Sequence, residues 1–196
     1  MSPPVAILYA KGTNREQDAA RACQLAGGDP RVVHLSELTR NSQKLVDYRM
    51  IVVPGGFSYG DDLGAGKLWA TELRHKLGDQ LAEFVASGRP VLGICNGFQV
   101  LVKAGRLPGL DDGQDVVGQQ ASLTWNDSGR FECRWVYLAP QPASPCVFTR
   151  GLTEPVHCPV AHGEGKFVCV DDVTADRIEG ESLIALRYVD DQGRAG

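Results

Sequence analysis

Pro90-Val91-Leu92-Gly93-Ile94-Cys95-Asn96-Gly97-Phe98-Gln99 decides how this chain is read. A short apolar run enters the segment, Cys95 stands at its corner, and Asn96 to Ala104 follows with helical spacing that stops at Gly105. The pattern predicts a buried strand turning directly into a helix. Gly93 and Gly97 flank Cys95 at minus two and plus two, the sulfur counterpart of the G-x-S-x-G elbow that lifts a nucleophile off the end of a strand. Such a turn is sharp and strained, and leaves no room for a Cβ beside the nucleophile. A thiol at a helix N-terminus faces unpaired N–H groups and the positive end of the helix dipole, both of which favour thiolate. The plain alternative for a lone cysteine is an inert core residue; strand, glycine pair and helix in register favour the nucleophile.

Working outward, Val5–Ala10 and Met50–Val53 are further short apolar runs, the mark of parallel strands buried on both faces. Thr13 and Glu16 are spaced as a capping box for a helix that ends at Gly27-Gly28. Arg31–Leu35 reads as another strand, and one or two helices are expected between Lys67 and Ser87. In the second half, Gln120–Trp125 and Phe131–Leu138 flank the turn cluster Asn126-Asp127-Ser128-Gly129, which predicts a β-hairpin. Further strands are expected at Val156–Val160, Lys166–Val170 and Leu183–Val189. Alternating strands and helices imply a doubly wound α/β fold whose mostly parallel sheet becomes mixed toward the C-terminus. We read the chain as one domain. Asp190-Asp191-Gln192-Gly193 is a hairpin turn with only three residues after it, so the natural protein is expected to continue.

An attacking thiolate needs N–H donors where negative oxygen develops. The backbone N–H of Asn96 is one, and the Val52–Phe57 segment, with Gly55 and Gly56, is the expected source of a second, because strand ends gather at one edge of a doubly wound sheet. On its own Pro54-Gly55-Gly56 is equally suited to a plain turn. Gln99 shares a helix face with Cys95 and is a candidate for orienting a polar substrate. Gly60–Lys67 imitates a phosphate-binding loop, but its spacing is one residue too long and Leu68 replaces the required Ser/Thr. His162 and Glu164 stand two apart, as a base and an orienting acid would on one strand face, although glycine on both sides of Glu164 argues for a bend.

Composition excludes several classes. The chain has 196 residues, 43% apolar and 22% charged, with net charge −4. That is the balance of a soluble globular protein with no basic stripe for nucleic acid. No apolar run approaches the ~20 residues of a membrane span, and nothing resembles a secretory leader. The six cysteines follow no metal-ligand rhythm and are expected to be reduced cytoplasmic thiols.

Gly55-Gly56-Phe57-Ser58-Tyr59-Gly60-Asp61, then Gly64-Ala65-Gly66, then Gly93–Gln99 together resemble the class I glutamine amidotransferases. More narrowly they are similar to the glutaminase subunits of phosphoribosylformylglycinamidine synthase. Gly12-Thr13-Asn14 and His162-Gly163-Glu164-Gly165 fit as well, so the resemblance spans nearly the whole chain. It implies a flavodoxin-like amidotransferase fold and hydrolysis of glutamine to glutamate and ammonia. Cys95 matches the nucleophile that forms a γ-glutamyl thioester, and Gly56 and Asn96 match the oxyanion positions; Gly55, Phe57 and Gln99 complete the expected substrate-binding set. Ammonia would pass to a large synthase subunit, assisted by a small accessory subunit. The synthase would use ATP and magnesium to convert formylglycinamide ribonucleotide to the amidine in purine biosynthesis, and no cofactor is expected in this chain.

The family's other triad members lie in a Pro-His-Pro-Glu motif near the C-terminus, which this sequence does not contain. The expectation is that this chain lacks the C-terminal end of its domain, and that His162 and Glu164 are not substitutes. Asp62 stands where some relatives carry tyrosine. The competing readings are a non-catalytic interaction module of the same fold and another elbow-cysteine enzyme of deglycase or protease type.

Overall fold

Short runs that are apolar at every position demand cover on both faces, and the first half of the chain supplies it. The computed structural model describes residues 1–40, 44–110 and 118–194. They divide into two units, Met1–Leu107 and Pro108–Gly196.

The first unit contains β1 (Pro4–Tyr9), α1 (Glu16–Leu25), β2 (Asp29–His34), α2 (Leu35–Thr39), β3 (Met50–Val53), α3 (Lys67–Ala86), β4 (Val91–Gly93) and α4 (Asn96–Lys103). All strand pairs are parallel, in the order β2-β1-β3-β4. Ala6, Leu8, Ile51 and Val53 point to one side, where Trp69, Leu73, Leu77, Leu81 and Phe84 of α3 and Val100 and Leu101 of α4 close over them. Val5, Ile7 and Val52 point to the other, against Ala19 of α1. This is the period-two alternation of a strand sandwiched between helices. The region between Lys67 and Ser87 is one helix of 20 residues.

The expected capping box at Thr13 does not form. α1 begins at Glu16 without a side-chain cap. The Thr13 hydroxyl instead accepts from the Ala10 N–H at 3.3 Å, and Thr13 forms a β-bridge with Gly56. Contact between the loops after β1 and β3 outcompetes the local cap.

The second unit holds β5 (Ala121–Thr124), β6 (Glu132–Pro140), β7 (Val156–His162), β8 (Lys166–Cys169), α5 (Asp172–Gly180) and β9 (Leu186–Val189). Its strands are antiparallel and form two sheets of their own, β5-β8 and β7-β6-β9, rather than joining the parallel one. β5 and β6 therefore do not form the expected hairpin. The turn between them is real, with the Gly129 N–H donating to the Asn126 carbonyl at 2.9 Å. However, the Asn126 N–H donates to the Gly163 carbonyl at 3.0 Å, carrying β5 along the connection between β7 and β8. The Asp190 turn is also formed, closed by the Asp190 N–H on the Arg194 carbonyl at 2.9 Å. No helix among the described residues is long and apolar enough to cross a membrane.

Candidate active site

Cys95 is exposed and takes φ 55° and ψ −117°, between the last residues of β4 and the first turn of α4. A non-glycine residue in so sparsely populated a region costs of order 1–3 kcal/mol and persists only where its surroundings impose it. Here they do. A Cβ on Gly97 would lie 1.8 Å from the Val53 carbonyl oxygen, and one on Gly93 would lie 2.8 Å from the Gly97 oxygen and 2.7 Å from Leu101 Cδ1. Both glycines are thus required by space, as the elbow reading predicts, and the close approach of α4 to β3 forces the turn.

The loop after β3 reaches the thiol. The position of a Cβ on Gly55 lies 3.2 Å from Cys95 Cβ, and Gly56, at φ 141°, sits against the Thr13–Asn14 backbone. Loops following β1, β3 and β4 therefore converge at the carboxyl ends of neighbouring strands, where the chain reverses its direction of growth across the sheet. In this loop the N–H of Phe57 donates to the Gly12 carbonyl, that of Tyr59 to Lys11, and that of Gly60 to Phe57. The Ser58 N–H donates to Asn96 Oδ1. Among the described residues, the N–H groups of Gly55 and Gly56 have no such protein acceptor, and Asn96, as first residue of α4, leaves its N–H without an intrahelical one. These three main-chain donors, at the loop after β3 and at the start of α4, are thus left without a protein acceptor.

Gln99 is half-buried, and its Oε1 accepts from Asn96 Nδ2 at 3.1 Å. Phe57, in the loop after β3, and Ile94 and Phe98, on either side of Cys95 in sequence, are exposed apolar residues. From α3, Glu72 accepts from the Tyr59 hydroxyl and pairs with Lys76. Burial, followed by the hydrogen bond and charge of Glu72, pushes the Tyr59 phenol up to about 12. For Glu72 burial works upward, yet the hydrogen bonds from Lys76 and Tyr59, with the Lys76 charge, hold it below the ordinary carboxylate value.

The side chains that sequence reading missed are Ser58, Asp61 and the carboxamide of Asn96. Asn96 is 2% exposed. Its Oδ1 accepts from Ser58 Oγ at 2.6 Å, and its Nδ2 donates to Asp61 Oδ1 at 3.2 Å. A buried carboxamide must find partners, which was the available signal, but these lie up to 38 residues away.

In the second unit, His162 Nδ1 lies 2.9 Å from Asn126 Oδ1, which also accepts from the Gly165 N–H at 3.0 Å. A Cβ on Gly165 would lie 2.1 Å from the His162 ring. The bend foreseen around Glu164 is present, and Asn126 holds its His162 side. Among the described residues no three His, Cys, Asp or Glu side chains converge as a metal site requires.

A glutamine amidotransferase domain of the CobB/CobQ-like kind matches residues 2–196, through both units. The phosphoribosylformylglycinamidine synthase subunit PurQ of Treponema denticola is 48% identical over 195 residues, covering 96% of this chain and 72% of that protein. The subunit of the same name from Methanococcus maripaludis is 41% identical over 197 residues, covering all of this chain and 71% of its own length. Among solved structures, PurLQS from Thermotoga maritima superposes with a TM-score of 0.72 at 34% identity, over 97% of this chain and 76% of the matched one. With a family match over residues 2–196 and relatives of 41–48% identity covered over more than two thirds of their length, this chain belongs to the CobB/CobQ-like glutamine amidotransferase family.

Proposed function

We propose that this chain is the glutamine-hydrolysing subunit of a phosphoribosylformylglycinamidine synthase. Cys95 attacks the side-chain amide carbon of glutamine, and the N–H groups of Gly56 and Asn96 stabilise the oxyanion. The C–N bond breaks, the nitrogen takes a proton and leaves as ammonia, and water then hydrolyses the γ-glutamyl thioester to glutamate. Gly55 and Phe57 flank the substrate, and Gln99 borders it from α4. Residues 1–196 hold no Pro-His-Pro-Glu motif, and His162 is engaged by Asn126, so no residue here is assigned the proton transfers.

Ammonia passes to a large synthase subunit that consumes ATP with magnesium and converts formylglycinamide ribonucleotide to its amidine, with a small accessory subunit completing the complex. The likeness to PurLQS and the shared subunit name of the relatives support these partners. The family match through both units supports one amidotransferase domain, and six free thiols fit a cytoplasmic enzyme.

One observation carries the reading: an exposed cysteine in a strained elbow with the Gly55-Gly56 loop against it. In the full-length protein with its synthase, Cys95→Ala is expected to lower glutamine-dependent amidine formation at least about a thousandfold, as loss of a nucleophile does, while synthesis from added ammonia persists. Undiminished glutamine hydrolysis would refute the assignment. A parent complex that assembles yet hydrolyses no glutamine would establish the non-catalytic module instead.

A further inference from the structure

Among the described residues only Tyr59, Asp61, Cys95 and Ser182 have positive φ without being glycine. Three of these four belong to the segments the Asn96 side chain joins. Asp61, at φ 53°, turns its carboxylate so that one oxygen accepts both from Asn96 Nδ2 and from the Gly66 N–H, each at 3.2 Å. The Asn96 Oδ1 takes both the N–H and the hydroxyl of Ser58, which is itself 2% exposed. Asn96 has its side chain anchored at both ends, and it is the residue whose backbone N–H points from the helix start beside Cys95.

We infer that Asp61 and Ser58 are positioning residues: through the Asn96 carboxamide they fix the direction of the Asn96 N–H and tie the Gly55–Asp61 loop to α4, so that the two oxyanion donors stay in register. The inference rests on the reading of Gly56 and Asn96 as those donors. A side chain anchored to two points of a neighbouring loop cannot rotate, and its own peptide plane at the first helical position is held with it. Donors aimed in advance stabilise developing charge without reorganising during the reaction, which is why a misdirected donor costs rate rather than binding. The strained backbone at Asp61 supports this. A left-handed aspartate is held there by its two hydrogen bonds, where glycine would sit without strain.

That last point supplies a clean test in the full-length protein with its synthase. Asp61→Gly relieves backbone strain and removes the acceptor, whereas Asp61→Asn keeps a carbonyl oxygen at the same place and tolerates positive φ. Three quantities are read: kcat and KM for glutamine, and the rate at which iodoacetamide alkylates Cys95, a displacement that forms no carbonyl oxyanion. Asp61→Gly is expected to lower kcat about tenfold or more, with KM and alkylation each within about threefold, and Asp61→Asn is expected to restore most of kcat. Ser58→Ala, which removes one donor and keeps the backbone N–H, is expected to lower kcat about threefold, and it decides the matter by the same readouts if Asp61→Gly does not fold. An unchanged kcat in these variants overturns the inference. So does a parallel fall in kcat and alkylation, which would mean that the network seats the thiol and not the donors. If Cys95→Ala keeps full activity, the reading of the site has failed, not this refinement of it.

Discussion

The two units bury their apolar residues differently. In Met1–Leu107 both faces of the sheet are covered, and Trp69 and Phe84 are 1% and 0% exposed. In Pro108–Gly196 the buried apolar set among the described residues is small, Leu110, Ala121, Leu123, Val136 and Ile178, while Trp125 and Trp135 are 68% and 63% exposed. The Trp135 ring lies 4.8 Å from that of His157, which stacks in turn on Tyr137, so its environment is a cross-strand aromatic row and not a core. A strained elbow needs surroundings that cannot yield, and it stands in the unit that is close-packed. Substitutions should therefore be felt more in the first unit than in the second.

Glycines sharpen the contrast most. Gly97→Ala places a methyl 1.8 Å from the Val53 carbonyl oxygen, a main-chain atom that cannot swing aside as a flexible side chain could. A loss of about 3 kcal/mol or more, or failure to accumulate folded protein, is expected. Gly180, in α5, has no atom within 4 Å of its added Cβ, and Gly180→Ala is expected to be neutral or stabilising by up to about 1 kcal/mol. Urea unfolding of both variants checks the pair, and equal effects would erase the distinction.

Aromatic truncation comes next. Phe84→Ala empties a fully buried site and should cost about 3–5 kcal/mol. Trp135→Ala removes a larger ring, yet it should cost about 1 kcal/mol or less, because the ring is largely in water and loses only its contact with the aromatic row. A Trp135 variant as damaged as Phe84→Ala would show that the antiparallel sheet depends on its aromatic row as the first unit depends on its core.

Alkaline stability probes the clamp between the Tyr59 loop and α3. Tyr59 titrates near 10 when unfolded and at about 12 when folded. Between those values the folded state holds a proton the unfolded state has released, so stability falls as pH rises. The contribution is complete below pH 10 and is lost through the folded value. The difference in unfolding free energy between the parent and Tyr59→Phe should therefore shrink from about pH 10 toward 12. A constant difference across that window would mean the phenol is not held as described.

Much of the first unit was legible because strands covered on both faces must be apolar throughout, and Val5–Ala10 and Met50–Val53 are. The elbow was legible because its glycines are local requirements of its backbone. What failed was non-local. Asn126–Gly129 does turn, but a turn does not choose its partner strands, and β5 pairs β8, Thr124 opposite Lys166, far along the chain. Nothing near Asn96 announces Ser58 or Asp61. Helix α5 escaped notice because it buries only Thr174 and Ile178, too few for a periodic stripe.

The smallest effect compares two helix ends. α1 closes with the Gly28 N–H on the Cys23 carbonyl and the Gly27 N–H on Gln24; α5 closes identically, Leu183 on Ile178 and Ser182 on Glu179. The left-handed position of this motif is Gly27 in one unit and Ser182, at φ 57°, in the other. Serine there carries a Cβ against the backbone, whereas the strained Asp61 is held by hydrogen bonds to Asn96 and Gly66. Ser182→Gly should thus stabilise by about 0.5–1 kcal/mol after the extra chain entropy of glycine is counted, and Gly27→Ser should destabilise by a similar amount. Thermal unfolding measures both. If Ser182→Gly is neutral while Gly27→Ser costs the full amount, the tolerance belongs to the thinly packed second unit, where a strained helix end can loosen at little cost, and the contrast between the units extends to their helix ends.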